Sequence, residues 1–145
     1  MNARLKTALA LAAFAGGCAT APQPGPGPTP FPAPPTRFEN PAIASLMDTA
    51  RADSEAGRLA NAAASIERAL RIDPRNPRLW QELSRVRFKN GDYAQAESTA
   101  ARSNSWAGSD RDLRAENWRL IAQAREARGD AEGAKAALDA AERLK

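Results

Sequence analysis

The sequence predicts an all-α protein whose helices pair into three successive hairpins. Apolar residues recur at helical spacing, as Trp80 and Leu83 do on one face of a predicted helix. Glycine interrupts this periodicity at Gly57, Gly91 and Gly129, and glycine readily adopts the left-handed backbone conformation that ends a helix. The alternation typical of a β-strand is not found in the sequence. Each of these glycines is therefore predicted to mark the turn of one hairpin.

The composition limits the protein to one small domain of closely packed helices. The chain has 145 residues, one cysteine, no histidine and a formal charge of +4. That length is room for a single domain at most. Aromatic residues make up only 6% of the chain and alanine is abundant, which suits thin, closely packed helices better than a thick globular core.

Residues 1–17 have the features of a secretory signal peptide. Arg4 and Lys6 form a short positive segment, and the apolar run that follows is too short to span a bilayer as a mature helix. The run ends at A-G-G-C, and a small-residue pair directly before a cysteine resembles the lipobox of bacterial lipoproteins. We therefore predict that Cys18 is lipidated. The alternative is an ordinary signal peptide and a free thiol.

The predicted lipid would anchor the protein to a membrane without a spanning helix, because several acyl chains hold a bilayer more firmly than one. Ala19 follows the cysteine. In the diderm lipoproteins that this arrangement resembles, an aspartate at that position causes retention in the inner membrane. The resemblance therefore implies a protein on the periplasmic face of the outer membrane.

Residues 18–40 begin with the predicted lipidated cysteine and are dense in proline. Proline lacks the N–H that helices and sheets use, so we predict a disordered tether that favours extended polyproline II. Residues 19–40 could reach roughly 65 Å if fully extended. The segment is either a passive spacer or a ligand for a proline-recognition domain.

The middle hairpin, residues 77–110, has the clearest pattern. Its first helix ends at N-G-D around Gly91, where aspartate can cap the next helix. In that second helix Ala96, Ala100 and Ser103 form a stripe of small residues that lets the two helices approach closely.

The same pattern recurs on both sides, in hairpins predicted at about residues 43–76 and 115–145. Gly91 follows Gly57 by 34 residues and Gly129 follows Gly91 by 38. The extra four residues either lengthen the loop between the second and third hairpins or start the next helix early. In the third hairpin the matching residues are Trp118, Ile121, Ala122, Ala134, Leu138 and Ala141.

These hairpins resemble tetratricopeptide repeats, whose period is 34 residues, over residues 41–145. The resemblance implies a short right-handed solenoid whose first helices line a concave surface for binding another protein. Carried over position by position, the groove residues are Met47, Arg51, Arg78, Gln81, Arg85, Phe88, Lys89, Glu116, Arg119, Gln123 and Glu126. The paired asparagines and lysines with which chaperone-binding members clamp a carboxylate are missing.

One position departs from the family pattern. Four residues before each turn glycine the family usually has a large apolar residue, and here the residues are Asp53, Arg87 and Arg125. Asp53 and Arg87 either form an ion pair between adjacent repeats or extend separately to water.

Four further residues and the last helix have an expected environment. Trp106 falls at the position of Ile72 in the preceding repeat and is predicted to be a core residue, as are Trp80 and Trp118. Phe88 either points into the groove or packs against a neighbouring hairpin. The last helix lacks a following capping helix in this sequence, so its outer face either stays exposed or pairs with a second copy to form a homodimer.

Catalytic chemistry is not indicated. Without histidine, and with its one cysteine predicted to be acylated, the chain lacks a common general base, a nucleophile and soft metal ligands. Asp110 and Asp112 fit a helix N-terminus, where acids complement the helix dipole. The arginines alternate with acids at helical spacing and form no nucleic-acid stripe. We expect no enzyme, cofactor, metal site or nucleic-acid partner.

A non-catalytic, lipid-anchored interaction module is therefore the main functional hypothesis. The order of cysteine, tether and helical repeats resembles the outer-membrane lipoproteins that reach through the cell wall to activate bifunctional peptidoglycan synthases. That resemblance implies an envelope partner such as a penicillin-binding protein. The alternative is a lipoprotein that assembles secretin or type IV pilus rings, which would not need the tether; an enzyme is a remote third hypothesis.

Overall fold

The computed structural model describes residues 38–144. The predicted signal peptide, Cys18 and most of the proline-rich segment lie outside that range. Every regular element within it is a helix, and the six helices are α1 (Pro41–Glu55), α2 (Leu59–Ile72), α3 (Pro77–Lys89), α4 (Tyr93–Trp106), α5 (Arg111–Ala127) and α6 (Ala131–Glu142). They pair in sequence as three hairpins of a short right-handed solenoid, which confirms the predicted fold class.

The first helix of each hairpin begins at a capping side chain. Asn40 accepts hydrogen bonds from the backbone N–H groups of the first turn of α1, and Asn76 does the same for α3. A proline follows each asparagine, at the position where its missing N–H costs nothing. Asp110 caps α5 by accepting from the backbone N–H of Leu113 at 3.0 Å, as its helix N-terminus pattern predicted.

Each hairpin turn closes in the same way around its glycine. Gly91 has a φ of +83°, a left-handed conformation that costs a residue with a Cβ free energy. The next residue, Asp92, donates its backbone N–H to the carbonyl of Arg87 at 2.9 Å. This bond is the one that defines the Schellman ending of a helix. The turns at Gly57 and Gly129 repeat it, so the predicted turn glycines are confirmed.

The core follows the inner faces of the hairpins in two clusters. The first joins α1, α2 and α3 around Ile66, Leu79 and Leu83, with Trp80 packed against it. The second joins α4, α5 and α6 around Ile121, with Trp118 packed against it. The predicted stripe of small residues in α4, Ala96, Ala100 and Ser103, is buried, which lets α3 and α4 approach closely.

The four extra residues of the third hairpin lengthen its first helix. Helix α5 has 17 residues, whereas α3 has 13. The loop before α5 occupies residues 107–110, the same length as the loop at residues 73–76 before α3. Of the two predicted alternatives, the earlier helix start is therefore the one observed.

The prediction that Trp106 lies in the core is wrong. It is the last residue of α4 and is 40% exposed, and Ile72, its equivalent at the end of α2, is 47% exposed. Leu138 of α6 is 49% exposed as well. For Trp106 and Ile72 the physical reason is that the final position of a helix is covered only where the following element packs over it.

The predicted ion pair between Asp53 and Arg87 is also wrong. Asp53 accepts from the neighbouring Arg58 at 2.7 Å, within its own turn. Arg87 instead reaches back to Glu67 of the preceding hairpin at 3.2 Å and also donates to Gln95 at 2.8 Å. An inter-repeat pair exists at this position, but its acid comes from α2.

Candidate functional site

The predicted groove residues lie on or beneath the face formed by the first helices of the three hairpins, α1, α3 and α5, which we call the first-helix surface. Two side-chain contacts tie these helices together at opposite ends. Lys89 at the end of α3 donates to the Ser54 hydroxyl near the end of α1 at 3.1 Å. Arg78 at the start of α3 contacts the cap residue Asp110 of α5 at 3.1 Å.

Glu116 joins α3 to α5 in the middle of the first-helix surface. Its Oε2 atom accepts from the Gln81 amide at 3.1 Å and from the Arg85 guanidinium at 3.0 Å. A carboxylate that receives two donors from the facing helix fixes the distance and rotation of that helix. The face presented to a partner is thus held in one arrangement.

Two predicted groove residues are buried. Met47 is 6% exposed and belongs to the first core cluster, and Gln81 is 1% exposed. Met47 packs beneath the surface, and the Gln81 side chain is used in its bond to Glu116. We therefore exclude both from the surface that a partner would touch.

The remaining predicted residues are accessible to different degrees. Arg51 is exposed and pairs with Asp48 one turn earlier at 3.1 Å. Lys89 and Gln123 are exposed, whereas Arg78, Arg85 and Arg119 are half-buried. Arg119 has no ion-pair or hydrogen-bond partner among residues 38–144. It is therefore a cation on this surface whose charge is available to a ligand.

Phe88 makes an aromatic contact within its own hairpin. Its ring lies 5.3 Å from the ring of Tyr93 at an interplanar angle of 59°, a tilted geometry that aromatic pairs favour. Both residues are half-buried. Phe88 therefore packs across the turn of its own hairpin, and part of its half-buried ring stays accessible.

Sequence reasoning missed three residues that shape this surface. Tyr93 supports Phe88, Ser54 receives Lys89, and Asp110 holds Arg78 besides capping α5. Asp110 had a detectable signal, because it lies 32 residues after Arg78, close to one repeat. Ser54 and Tyr93 have no comparable signal, since either could face solvent at its position.

The described part of the chain offers no alternative kind of site. Among residues 38–144, no group of three or more histidine, cysteine, aspartate or glutamate side chains is placed to hold a metal ion. No helix in that range combines the length and apolar character required to cross a membrane. The surface carries mixed charges, with ion pairs beside the unpaired cations Lys89 and Arg119.

Comparison with known proteins relates the chain to one family model and to a group of solved structures, two of which are described here. Residues 54–115 match the tetratricopeptide repeat model. The structure of the globular C-terminal domain of P. aeruginosa LpoP is 44% identical, covers 71% of this chain and 97% of that chain, and superposes with a TM-score of 0.69. No curated protein is significantly similar in sequence.

A more distant structure shares the fold alone. The N-terminal domain of stress-induced protein-1 from C. elegans is 15% identical, covers 71% of this chain and 84% of that chain, and has a TM-score of 0.67. Its similarity supports the hairpin architecture and carries no information about partners.

Proposed function

This chain belongs to the family of the P. aeruginosa LpoP C-terminal domain, a tetratricopeptide-repeat family, and from that premise we propose that it regulates a bifunctional peptidoglycan synthase of the cell envelope. In this proposal Cys18 carries lipid on the periplasmic face of the outer membrane. The proline-rich segment carries the repeats towards the synthase, and the repeats bind it without catalysing a reaction themselves.

The observation that carries the proposal is the 44% identity that extends over 97% of the LpoP domain. The order of signal, cysteine, proline-rich segment and repeats also supports the proposal. A long tether between anchor and repeats is useful only when the partner is distant from the membrane anchor. The helical repeats themselves form a protein-interaction module, since stacked hairpins present an extended surface of side chains from consecutive repeats.

We place the partner contact on the first-helix surface, around Phe88, Lys89 and Arg119. Aromatic and arginine side chains are the usual anchors of protein interfaces. Phe88 is held by Tyr93 and so loses little freedom on binding, and Arg119 is unpaired. Arg51 and Gln123 are exposed and extend this contact region. Arg78 and Arg85 already form ion pairs with Asp110 and Glu116, so their main role is to link α3 to α5.

The test is a reconstituted polymerisation assay. The purified full chain is added in detergent to the bifunctional synthase of the same cell, and glycan synthesis from fluorescent lipid II is followed. We expect stimulation, and we expect Phe88→Ala with Arg119→Ala to abolish most of it. The matched control is Leu138→Ala in α6 with Arg143→Ala at the C-cap of α6, which also removes one apolar and one arginine side chain.

The outcomes are distinct. No stimulation by the unaltered chain would reject the proposed regulation. Stimulation that survives the Phe88 and Arg119 substitutions but not the α6 substitutions would move the contact to the last helix. Circular dichroism melts of each variant show whether a lost effect reflects unfolding.

A further inference from the structure

A second cluster of interaction-type side chains lies where the loop after α2, the first turn of α3 and the last turns of α4 meet. It consists of Arg75, Trp80, Arg102 and Trp106, which we call the arginine–tryptophan patch. The Arg75 guanidinium lies 5.3 Å from the ring centre of Trp106, and that of Arg102 lies 4.6 Å from the ring centre of Trp80. The Trp80 indole N–H donates to the carbonyl of Pro74 at 2.9 Å. These contacts order both arginines before any ligand arrives.

The arginines at this end of the molecule lack carboxylate partners. In residues 38–144, ion pairs engage arginines of α1, α3 and α5 and of the turns that follow α1 and α5. Within the same range, no carboxylate oxygen lies within 4.0 Å of the guanidinium nitrogens of Arg68, Arg71, Arg75 or Arg102. Asp73, in the same loop as Arg75, accepts from the Asn76 amide instead. These four guanidinium groups therefore carry charge that no ion pair within residues 38–144 offsets.

Apolar surface is exposed beside this charge. Ile72 and Trp106 are the last residues of the second helices of two successive hairpins, and both are large exposed apolar side chains. Because successive hairpins stack, equivalent positions lie on the same side of a solenoid. An exposed aliphatic side chain and an exposed aromatic one thus accompany the unpaired arginines.

We propose that the arginine–tryptophan patch binds an acidic polypeptide segment that carries apolar side chains. Charge complementarity selects the acidic residues, and guanidinium groups held over aromatic rings present planar forks suited to carboxylates. Ile72 and the accessible edge of Trp106 receive the apolar side chains.

The stacking geometry favours a peptide over an anionic lipid surface. Attraction to lipid headgroups needs only clustered charge, and interfacial tryptophans need free rings to enter the bilayer boundary. Here Arg102 covers the Trp80 ring, whose N–H is already bonded, and Arg75 covers one face of Trp106. Membrane insertion of the Trp80 ring would require its stack with Arg102 to separate.

The experiment measures binding of a defined probe by fluorescence anisotropy. The probe is a labelled peptide of glutamate and aspartate interrupted by leucines, and the comparison peptide has glutamine and asparagine in place of the acids. Vesicles of phosphatidylglycerol, with phosphatidylcholine as reference, test the lipid alternative. The purified full chain is expected to bind the acidic probe, more weakly at high salt, and to bind the amide peptide poorly. Its proposed acyl chains insert into either bilayer, so we expect equal binding to the two kinds of vesicle.

The matched variants separate a specific patch from general attraction. Arg75→Glu with Arg102→Glu should weaken binding of the acidic probe about tenfold or more. Lys135→Glu in α6 with Arg143→Glu at the C-cap of α6 makes the same change in net charge and should leave binding nearly unchanged. Equal loss in both variants, absence of probe binding by the unaltered chain, or a preference for phosphatidylglycerol vesicles would each overturn the proposal.

The proposal does not depend on synthase regulation. Phe88→Ala with Arg119→Ala lies on the other surface and should leave the probe bound. If the chain bound the probe but did not stimulate a synthase, the inference about the arginine–tryptophan patch would stand and the proposed function would be rejected.

Discussion

Arg125 of α5 donates from Nε to Glu97 of α4 at 2.8 Å, and this bond ties the third hairpin to the second. The same guanidinium donates from Nη1 to the carbonyl of Gly133 in α6 at 3.1 Å. One half-buried arginine therefore connects three helices. The equivalent Arg87 makes the corresponding link between the second and first hairpins through Glu67. At the position where the family usually has a large apolar residue, arginine thus joins adjacent repeats through hydrogen bonds as well as through packing.

Replacing Arg125 with methionine should destabilise the domain by about 1–2 kcal/mol, because two charge-assisted hydrogen bonds are lost while the apolar stem is kept. The free energy of unfolding is measured by urea denaturation followed by circular dichroism. Arg143→Met, at the exposed C-cap of α6, is the control and should change stability by less than about 0.5 kcal/mol. Unchanged stability of the Arg125 variant would mean that packing of the stem, and not the ion pair, joins the repeats.

Gly91→Ala should destabilise the domain by about 1–2 kcal/mol, because alanine is strained at the φ of +83° that this turn requires. No atom within 4 Å would obstruct the added Cβ, so the cost is conformational and not steric contact with neighbours. The stability of Gly91→Asn should lie between that of the parent and that of Gly91→Ala, since asparagine tolerates the left-handed region better than alanine does. Urea midpoints of the three proteins test this order, and an alanine variant as stable as the parent would contradict it.

The hairpins were predictable because their determinants are local and repeated. A turn glycine at a left-handed position and a stripe of small residues each depend on a few neighbouring residues of the same hairpin. The start of α5 at Arg111 illustrates the limit, since the extra residues fitted either a longer loop or a longer helix until the cap at Asp110 was observed.

The side-chain partners were less predictable because they depend on three-dimensional proximity between hairpins. Helical spacing places Arg87 on a face but does not say which of several acids it will reach, and Glu67 instead of Asp53 proved to be its partner. The exposure of Trp106 was not apparent from its position in the repeat either. The equivalent residue, Ile72, is apolar and so suggested a core position, but both side chains are exposed. Likewise, family positions predicted a groove that included Met47, whose side chain lies in the core.

Asn117→Ala should destabilise the domain by about 1–3 kcal/mol through a buried polar network. The Asn117 amide donates to the Ser103 hydroxyl at 2.7 Å and to Asn104 at 3.0 Å, and Ser103 donates onward to the carbonyl of Pro77 at 2.7 Å. The network connects α5, α4 and the start of α3. Denaturation of Asn117→Ala, Ser103→Ala and the double variant measures the coupling. Simple additivity of the two losses would show that the residues act independently.

The lipid anchor predicts labelling that depends on one residue. Cells grown with an alkyne analogue of palmitate should incorporate label into the unaltered protein and not into Cys18→Ser, because Cys18 is the only cysteine of the chain. Immunoblots of the same samples control for expression. A labelled Cys18→Ser protein, or no label on either, would remove the anchor from the proposed function and leave the ordinary signal peptide as the interpretation.

Deleting residues 24–35 tests whether reach is required. At about 3.1 Å per residue in extended polyproline II, the deletion would remove roughly 35 Å of span. If the synthase lies across the cell wall from the anchor, the shortened protein should stay lipidated and folded but fail to support synthase activity in cells.

Replacing the same residues with a glycine–serine segment of equal length should shorten the mean reach and retain part of the function. In the purified assay, where no wall separates the partners, the deletion should stimulate the synthase fully. Full function of the deletion in cells would instead favour a partner at the membrane itself, as expected for a secretin or pilus assembly factor.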